Sequence, residues 1–577
     1  RGLGDVYKRQ GPDSVKLYFV LECNRPFATA DGWNEQGVMP DAEAIAGDEA
    51  GMLLGFDLKE SGEVLFKIGM SYTSVENAEA NLRAELDGWD FDAVHAESRA
   101  IWNEMLGRMD VEGGTEAQRI KFYTDLWHVL LGRHKINDVN GWYPDYAGGH
   151  YVDKRSSDPM KLRRLPLDAQ GRPQFNMYGF DALWLTQWNL NVLWGLAWPE
   201  ILDDFSACLV QYADNGGLLP RGACAGGYSF IMTGCPSSHM IISTYMKGLM
   251  KKVDPQHAYE VLRRNHMPGG MMSYESAEDL KFYMRHGWCP ESAGKTVEWA
   301  YQDWALSRMA ARLGKKSDAR MFERRSHGWT PLFNAEQGLI FPKKRDGSWQ
   351  HLDPLSGAGW VEANAWQATW SLSFDLPKLV ELMGGGDAFC EKLNYAFEQA
   401  SAFDFVAEYS GGYVSYANQP GCSNAHLFTY GGKPWLTQYW VRQVKEHAYG
   451  GITPDKGYGG HDEDQGQMGG ISALMAIGLF SVTGTESDVP YYDITSPIFD
   501  RVTIRLNPDY YPGREFVITT HDNSAENCYI QRAELNGEPW DCAQFDHAQF
   551  IRGGKLELWL GDQPQKEWGR LEYFKPE

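Results

Sequence analysis

Hydrophobic and polar residues follow two different patterns along the chain, and the change between them predicts its regions. Over residues 15–74, short runs of β-branched and aromatic residues are interrupted by Gly, Asp and Asn, which is typical of β-strands. So few strands leave one edge and one face of a sheet uncovered. We therefore interpret residues 11–85 as the end of an N-terminal β-sandwich domain whose beginning is missing from this sequence.

Helical periodicity follows this region. Thr115 and Gln118 have the spacing of a capping box, which predicts the start of a helix. The apolar stripe that we predict for this helix is Ile120, Tyr123, Trp127 and Leu130. A preceding helix is predicted over residues 91–109, with the stripe Ile101, Met105 and Met109.

Helical patterns then recur with short Gly-rich or Asn-rich breaks. They cover residues 182–194, 199–214, 237–250, 296–313, 364–373, 376–383, 386–401, 437–449 and 467–481. About a dozen helices without alternating strands indicate helical hairpins, either stacked as a solenoid or closed into a toroid. Because no sequence repeat of fixed period is present, we favour a toroid over residues 86–485.

Strand patterns return at the C-terminal end, where Asn536-Gly537 marks a tight turn. Residues 486–577 are therefore predicted to form a C-terminal β-element, and the fold class is multidomain α + β. The first ten residues, RGLGDVYKRQ, have no starting Met and no signal-peptide pattern. We interpret residues 1–10 as a foreign or truncation segment.

Composition excludes several classes of function. The 54 basic and 77 acidic residues give 54 − 77 = −23, which argues against binding to nucleic acid or to an anionic membrane. No apolar run reaches the roughly 18–20 residues of a membrane span. The nine cysteines are scattered, so we expect no disulfide scaffold. The 22 Trp and 29 Tyr slightly favour a carbohydrate ligand, because flat rings with a polar edge suit sugar faces.

The strongest chemical signal is an acidic cluster, Asp462-Glu463-Asp464, bracketed by glycines. Glycines allow the backbone to approach a ligand closely, although a solvated acidic loop has the same pattern. An EF-hand loop starting at Asp462 would need Glu at its twelfth position, where the sequence has Ala473. No HExxH, paired CxxC or P-loop motif is present. Hydrolysis by carboxylates is therefore the hypothesis that remains for the chemistry of this cluster.

Several longer stretches, taken together, point to one family. They are AELDGWDFDAVHAESRAIWNEML, VEGGTEAQRIKFYTDLWHVLL, KTVEWAYQDWALSRMA, VEANAWQATW, LMGGGDAF, YGGKPWLTQYWVRQV, GHDEDQGQM and ELNGEP. With these, the chain resembles glycoside hydrolase family 92, the calcium-dependent exo-acting α-mannosidases. The resemblance implies an (α/α)6 toroid behind an N-terminal β-sandwich. It also implies Ca²⁺ as cofactor, mannose-containing oligosaccharides or glycoproteins as partners, and a secreted, periplasmic or cell-surface location.

The resemblance also assigns catalytic residues. Glu362, in VEANAWQ, takes the place of the general acid, and Asp464, with Asp462 beside it, takes the place of the base. The family inverts the anomeric centre. Inversion needs two carboxyl groups roughly 6.5–9.5 Å apart, so that a water molecule fits between the base and the sugar.

Further residues are candidates for substrate binding, although buried tryptophans and histidines more often serve the core. The substrate-binding candidates are Trp184, Asp181, Asn418, Gln419, Trp366, Gln367 and Arg221, with Trp188, Trp435, His239 and His426 as weaker ones. Asn418 and Gln419 are also the candidate calcium ligands. Arg221 has the alternative of pairing with an acid.

The chain departs from the family pattern at four positions. The family's HGNEP motif has Tyr416 and Gln419 here, its LWDT motif has Leu185, and its GDHA motif has Ser238. Acids are thus absent where the family has them, which leaves three hypotheses open. The first is an inverting exo-α-mannosidase acting on glycans. The others are a degenerate homologue that binds glycans without cleaving them, and a glycosidase of altered linkage or sugar specificity.

Overall fold

The structure is a computed structural model. It describes residues 11–12, 15–58, 62–147, 151–152, 155–156, 160–274, 276–407, 409–458 and 463–571. The predictions for residues 1–10 and for Asp462 concern residues outside these ranges. Within them the fold mixes many helices with several sheets, as the α + β prediction requires. That the helices close into a six-hairpin toroid, and that residues 11–85 belong to a sandwich, stay predictions.

Helices are the main regular element of the described chain between the N-terminal and C-terminal strands. The α-helices are Val75–Glu85, Phe91–Leu106, Glu116–Leu131, Leu190–Ala197, Pro199–Gly216, Ser237–Met246, Pro255–Asn265, Ala277–His286, Ala293–Arg312, Lys316–Ser326, Ala365–Ala368, Leu376–Leu382, Gly386–Ser401, Pro434–His447, Gln467–Ile477 and His547–Phe550. The longer strands are Tyr18–Cys23, Thr29–Asn34, Gly51–Gly55, Phe66–Ser71, Met109–Glu112, Trp142–Asp145, Lys161–Arg164, Tyr491–Ile494, Arg501–Arg505, Glu515–His521, Tyr529–Leu535 and Gly554–Gly561. None of the described helices combines the length and apolar character needed to cross a bilayer.

Near the N-terminus, strand Tyr18–Cys23 pairs antiparallel with strand Phe66–Ser71, and the two form a small sheet. Helix Val75–Glu85 packs against one face of it. A Cβ at Gly69 would come within 2.3 Å of a backbone oxygen in this helix, so only glycine fits there. The other face carries exposed apolar side chains at Phe19, Leu21, Phe66, Ile68 and Met70. The uncovered apolar face that the strand pattern predicts is therefore present.

Helix Glu116–Leu131 confirms the predicted capping box and corrects the predicted stripe. The Gln118 backbone N–H donates to Thr115 Oγ1 at 3.2 Å, and the Thr115 N–H donates to Gln118 Oε1 at 2.8 Å. The predicted stripe is wrong in part, because Ile120 and Trp127 are exposed. The buried stripe is Phe122, Leu126, Val129 and Leu130. It is buried because this side of the helix packs on helix Gln467–Ile477, far away in sequence.

The preceding helix is shorter than predicted. It ends at Leu106, and Met109 opens a strand, Met109–Glu112, rather than closing the helical stripe. This strand pairs antiparallel with Arg501–Arg505. Its backbone hydrogen bonds are therefore made to the C-terminal sheet, which lies almost 400 residues further along the chain.

The C-terminal strands form a six-stranded sheet with Met109–Glu112 at one edge. Its spatial order is Glu538–Pro539, Tyr529–Leu535, Gly554–Gly561, Glu515–His521, Arg501–Arg505 and Met109–Glu112. Asn536 and Gly537 both have positive φ, 56° and 83°, which confirms the predicted turn.

One continuous apolar core joins the helical part to the C-terminal sheet. Asp493 lies in this junction. It accepts hydrogen bonds from the Tyr430 hydroxyl (2.7 Å), the Gln544 side chain (2.9 Å) and the Val482 backbone N–H (3.0 Å). Its near-complete burial raises the pKa of Asp493 to about 6. The carboxyl group therefore binds a proton more tightly in the folded chain than in the unfolded one.

This raised pKa makes stability depend on pH. We expect Asp493 to contribute most below about pH 4, the ordinary pKa of Asp. That contribution is lost as the pH rises through about 6, and the unfolding free energy then falls by roughly 2–3 kcal/mol. Replacing Asp493 with Asn removes the titration. Denaturant titrations at pH 4, 5, 6 and 7 should show the unfolding free energy of the wild type falling relative to that of Asp493→Asn as the pH rises. A difference that is constant with pH would contradict this.

Candidate active site

A cavity with about 500 Å³ of empty space brings together many of the predicted residues. It is lined by Asp181, Ala182, Trp184, Ile231, Met232, Glu362, Tyr409, Asn418, Gln419, Asp464 and Gln467. The lining comes from five separate stretches of the chain, and tertiary folding alone brings them together.

Both predicted catalytic acids lie in this lining, and two consecutive amides hold them. Asn418 Nδ2 donates to Glu362 Oε2 at 2.9 Å, and Gln419 Nε2 donates to Asp464 Oδ2. The backbone at Asn418 is extended, so successive side chains leave the chain in different directions. The two carboxylates are thus held apart on different sides of one dipeptide, at the same cavity.

The backbone is strained at several cavity residues. Met232, Glu362 and Asp464 have φ of 63°, 49° and 57°, and Leu185, next to Trp184, has 61°. Side chains other than glycine rarely adopt this left-handed region. Such residues cost roughly 1–3 kcal/mol each and concentrate at functional sites. Leu185 also interrupts the helix predicted over residues 182–194, because the chain forms only a short turn, Thr186–Trp188, before helix Leu190–Ala197.

The adjacent acid Glu463 points away from the cavity and caps a helix. Its carboxylate accepts the backbone N–H groups of Gly466 (2.7 Å) and Gly469 (3.1 Å) at the start of helix Gln467–Ile477. His128 Nδ1 lies 3.3 Å from the same carboxylate. Negative charge is favoured at this helix end. Glu463 therefore anchors the loop on which Asp464 lies.

Asp181 and Trp184 contribute a second polar group and a ring to the cavity. Burial raises the pKa of Asp181 above its ordinary value, although nearby His134 partly opposes this. Trp184 Nε1 donates to Glu298 Oε2 at 2.9 Å, which fixes the plane of its ring. Gln302 donates to the other oxygen of Glu298 at 3.0 Å. Glu298 was not singled out from the sequence, because its role depends on the ring of Trp184.

Three predicted substrate-binding residues lie outside the cavity lining. Trp366 packs against Tyr395 and Tyr413. Gln367 is buried behind Glu362, and its side chain donates to the backbone oxygen of Gly411. Arg221 is 1% exposed.

Arg221 instead fixes a loop of the cavity wall. Its guanidinium donates to the backbone oxygens of Met232 (3.0 Å), Gly234 (2.9 Å) and Met271 (3.3 Å). Met232 is one of the strained lining residues. Arg221 is therefore placed to support the wall rather than to line the cavity.

The weaker candidates are mostly buried in the core. His426 stacks on Phe480, and burial lowers the pKa of His426 to about 3. Trp435 lies on helix Pro434–His447, away from the lining. Trp188 and His239 line a neighbouring cavity, which shares Trp184 with the carboxylate cavity.

The positions that depart from the family pattern have other partners. Tyr416 is buried, and its hydroxyl accepts the Ala425 backbone N–H at 2.8 Å. Ser238 Oγ lies 2.7 Å from His266 Nε2 in the core. Leu185 faces the neighbouring cavity. Of these positions, only Gln419 lies in the lining of the carboxylate cavity.

Several lining residues gave no signal in the sequence. Ala182, Ile231 and Met232 are apolar residues in irregular segments, and Tyr409 precedes a Gly pair. Gln467 was visible only as the start of a helix, yet its side chain donates to the Ala182 backbone oxygen at 2.7 Å. It thereby ties the Asp464 loop to the segment that carries Trp184.

Comparison with known families agrees with this arrangement. The glycosyl hydrolase family 92 catalytic domain matches residues 77–562, which is most of the chain. The chain therefore belongs to glycosyl hydrolase family 92.

Among solved structures, the chain is similar to the family GH92 inverting mannosidase BT2199 from Bacteroides thetaiotaomicron, with a TM-score of 0.84 and 26% identity. The match covers 98% of this chain and 75% of that one. The GH92 α-mannosidase BT3965 from the same organism also gives a TM-score of 0.84, at 22% identity, covering 98% and 72% of the two chains. At that identity the likeness shows the fold alone.

Among curated proteins, an uncharacterized secreted glycosidase of Arthroderma benhamiae is 24% identical over 591 residues. The match covers 93% of this chain and 66% of the length of that protein.

The role of Glu463 generates a prediction. Replacing Glu463 with Ala leaves two N–H groups at a helix start without their acceptor. We expect the unfolding free energy to fall by about 1 kcal/mol, as for a lost cap. Glu463→Gln keeps one acceptor oxygen and should lose less. Denaturant titration measures both variants. Exposed Glu446 serves as the control, because Glu446→Ala should change stability by less than about 0.5 kcal/mol. Equal effects at the two positions would argue against the cap.

Proposed function

We propose that this protein is an inverting exo-α-mannosidase that removes terminal α-linked mannose from glycans with the help of calcium. The observation that carries the proposal is the pairing of Glu362 and Asp464 across one cavity through Asn418 and Gln419. Membership of family 92 and the similarity to an inverting mannosidase support it. The secreted relative supports a location outside the cytoplasm.

Glu362 is the proposed general acid. The Asn418 amide donates to its Oε2, which orients the carboxyl group that carries the proton for the leaving oxygen. In this role the carboxyl group of Glu362 must be protonated when the substrate binds. As the bond from the anomeric carbon to the leaving oxygen breaks, that oxygen takes the proton of Glu362.

Asp464 is the proposed base. The side-chain amide of Gln419 donates to its carboxylate, which holds the carboxylate in place. Asp464 accepts a proton from the water molecule that attacks the anomeric carbon from the opposite side. The product is therefore the β-anomer, released together with the protonated leaving group. The resemblance of the two motifs to those of family 92 supports this division of roles.

The cavity offers oxygen atoms that suit calcium. Gln419 is 2% exposed, and its side-chain oxygen Oε1 has no hydrogen-bond partner. The amide group of Gln419 lies beside the Asp464 carboxylate. Calcium prefers carboxylate, amide and backbone oxygens. Gln419, Asn418 and Asp464 would hold the ion, whose charge would orient sugar hydroxyls and favour ionised Asp464. Within the described residues, no group of three or more His, Cys, Asp or Glu side chains forms a metal site, so amide oxygens are essential to this proposal.

The rival is a glycan-binding protein without hydrolysis, or a glycosidase for another sugar. Its support is the absence of a carboxylate at Leu185 and Ser238, and the amide at Gln419. A panel of aryl glycosides and dimannosides separates the three possibilities. Glycan binding without release of any sugar favours the binding protein, whereas release of a sugar other than mannose favours the altered specificity.

Replacing Glu362 with Gln tests the acid. The variant keeps the shape but lacks the proton, so kcat/KM on dimannosides should fall by about 10²–10⁴-fold. Hydrolysis of 2,4-dinitrophenyl α-mannoside should fall much less, because this leaving group needs no proton. Glu291 is a matched control, since it is also a glutamate with left-handed backbone, φ 59°, outside the cavity lining. Equal losses on both substrates would remove Glu362 from the role.

Removing divalent ions tests calcium. Treatment with a chelator should lower hydrolysis at least about ten-fold, and Ca²⁺ should restore it better than Mg²⁺, which holds its water more tightly. Calcium should also raise the melting temperature of the wild type, because an ion that binds the folded state stabilises it. In Gln419→Met this shift should shrink. Full activity after exhaustive chelation would contradict the proposal.

A further inference from the structure

One buried ion pair lies outside the lining of the carboxylate cavity and takes no part in the proposed reaction. Lys121 and Asp125 lie one helical turn apart on helix Glu116–Leu131 and pair with each other. They are only 2% and 0% exposed. Because removing two charges from water costs free energy, such a pair is weak evidence for stability alone. Its other contacts indicate what it does.

The Asp125 carboxylate binds two residues that flank Asp464 along the chain. Before Asp464, the Tyr458 hydroxyl donates to Asp125 Oδ1 at 2.9 Å. After Asp464, the Ser472 hydroxyl donates to Asp125 Oδ2. Hydrogen bonds to a charged group are among the stronger ones in proteins. One buried side chain therefore holds the chain on both sides of the proposed base.

Lys121 contacts the same tyrosine from its ring face. Its Nζ lies 4.0 Å from the centroid of the Tyr458 ring, a distance at which a cation is attracted to the ring. The Tyr458 ring also packs edge-on against His128, with 5.3 Å between the centroids. His128 Nδ1 lies 3.3 Å from the carboxylate of Glu463. A continuous set of contacts therefore runs from the ion pair to Glu463.

Close packing of the backbone adds to these contacts. Helix Gln467–Ile477, which follows Asp464, packs on helix Glu116–Leu131, which carries the ion pair. A Cβ at Gly469 would lie only 2.9 Å from the backbone oxygen of Asp125, so glycine alone fits there without a shift. Since close-packed elements transmit strain, a movement of one helix is passed to the other, and with it to Asp464.

We propose that Lys121, Asp125 and Tyr458 are positioning residues for Asp464: they hold its carboxylate where it can take a proton from the attacking water molecule. The inference rests on the proposed function for the identity of that step. None of the three residues lines the carboxylate cavity, so they act only through the position of the base. A misplacement of about 1 Å can cost roughly 10²-fold in rate, so loss of one distant hydrogen bond has a measurable effect.

Tyr458→Phe tests the inference with a small change. It keeps the ring over Lys121 and loses only the hydroxyl that donates to Asp125. On 2,4-dinitrophenyl α-mannoside, kcat should fall at least about five-fold and KM should stay within about two-fold, because the base acts in the transition state rather than in binding. Tyr259→Phe is the matched control, since Tyr259 also donates to an aspartate, Asp318, at 2.8 Å outside the cavity lining. It should leave both constants unchanged. A smaller fall in Tyr458→Phe, or an equal fall in the control, would overturn the inference.

A double-mutant cycle separates positioning of the base from a loss of folded protein. In an Asp464→Asn background, Tyr458→Phe should change kcat on the same substrate by less than about two-fold, because the group through which Tyr458 acts is already gone. All variants are assayed well below their melting temperatures, so that the folded fraction is the same. A larger fall in the Asp464→Asn background would show that Tyr458 does not act through Asp464.

Failure of the proposed function gives a different result. If the wild type hydrolyses another glycoside, the same cycle is run on that substrate; if it hydrolyses none, hydrogen exchange replaces the kinetics. The backbone N–H groups of Gly466 and Gly469, which donate to Glu463, should exchange at least about ten-fold faster in Tyr458→Phe, because local opening is easier without the hydroxyl. Tyr259→Phe should leave their exchange unchanged. Unchanged exchange in Tyr458→Phe would overturn the inference independently of catalysis.

Discussion

The left-handed backbone at Glu362 and Asp464 is the constraint on which the cavity depends. Each of these conformations is unfavourable for a residue with a side chain and persists only when its surroundings leave no alternative. At Glu362, the following turn is held by Asn364, whose amide donates to Ser410 and Gly412 backbone oxygens at 2.8 and 2.9 Å. At Asp464, the following helix is capped by Glu463. A tertiary hydrogen-bonded contact next to Glu362 and a local helix cap next to Asp464 thus hold both acids in place.

Neighbouring residues of the same type have different tasks in this site. Glu463 and Asp464 are adjacent acids, but one binds helix N–H groups and the other faces the cavity. Asn418 and Gln419 are adjacent amides, and each donates to a different carboxylate. The direction in which each side chain leaves the backbone produces this division. A pair of acids at fixed separation is what an inverting glycosidase requires.

The supporting shell extends the site well beyond its lining. Arg221 fixes the loop of Met232 through three backbone oxygens, and Glu298 fixes the ring of Trp184. Neither residue lines the carboxylate cavity. Residues of this kind determine geometry to a fraction of an ångström, and rates depend on such precision.

Local patterns in the sequence determined much of this protein. The capping box at Thr115, the turn at Asn536-Gly537 and most helices rest on contacts within a few residues, so neighbouring residues suffice to predict them. The motifs around Glu362 and Asp464 were likewise visible. Only the tertiary structure decided which side of helix Glu116–Leu131 is buried, that Met109 joins a distant sheet, and that Arg221 and Trp366 lie outside the cavity. The first two outcomes depend on contacts between residues hundreds of positions apart, and the last two on contacts 11 to 50 positions apart. Hydrophobic periodicity shows that a side chain is apolar, but it carries no information about which residue will pack against it.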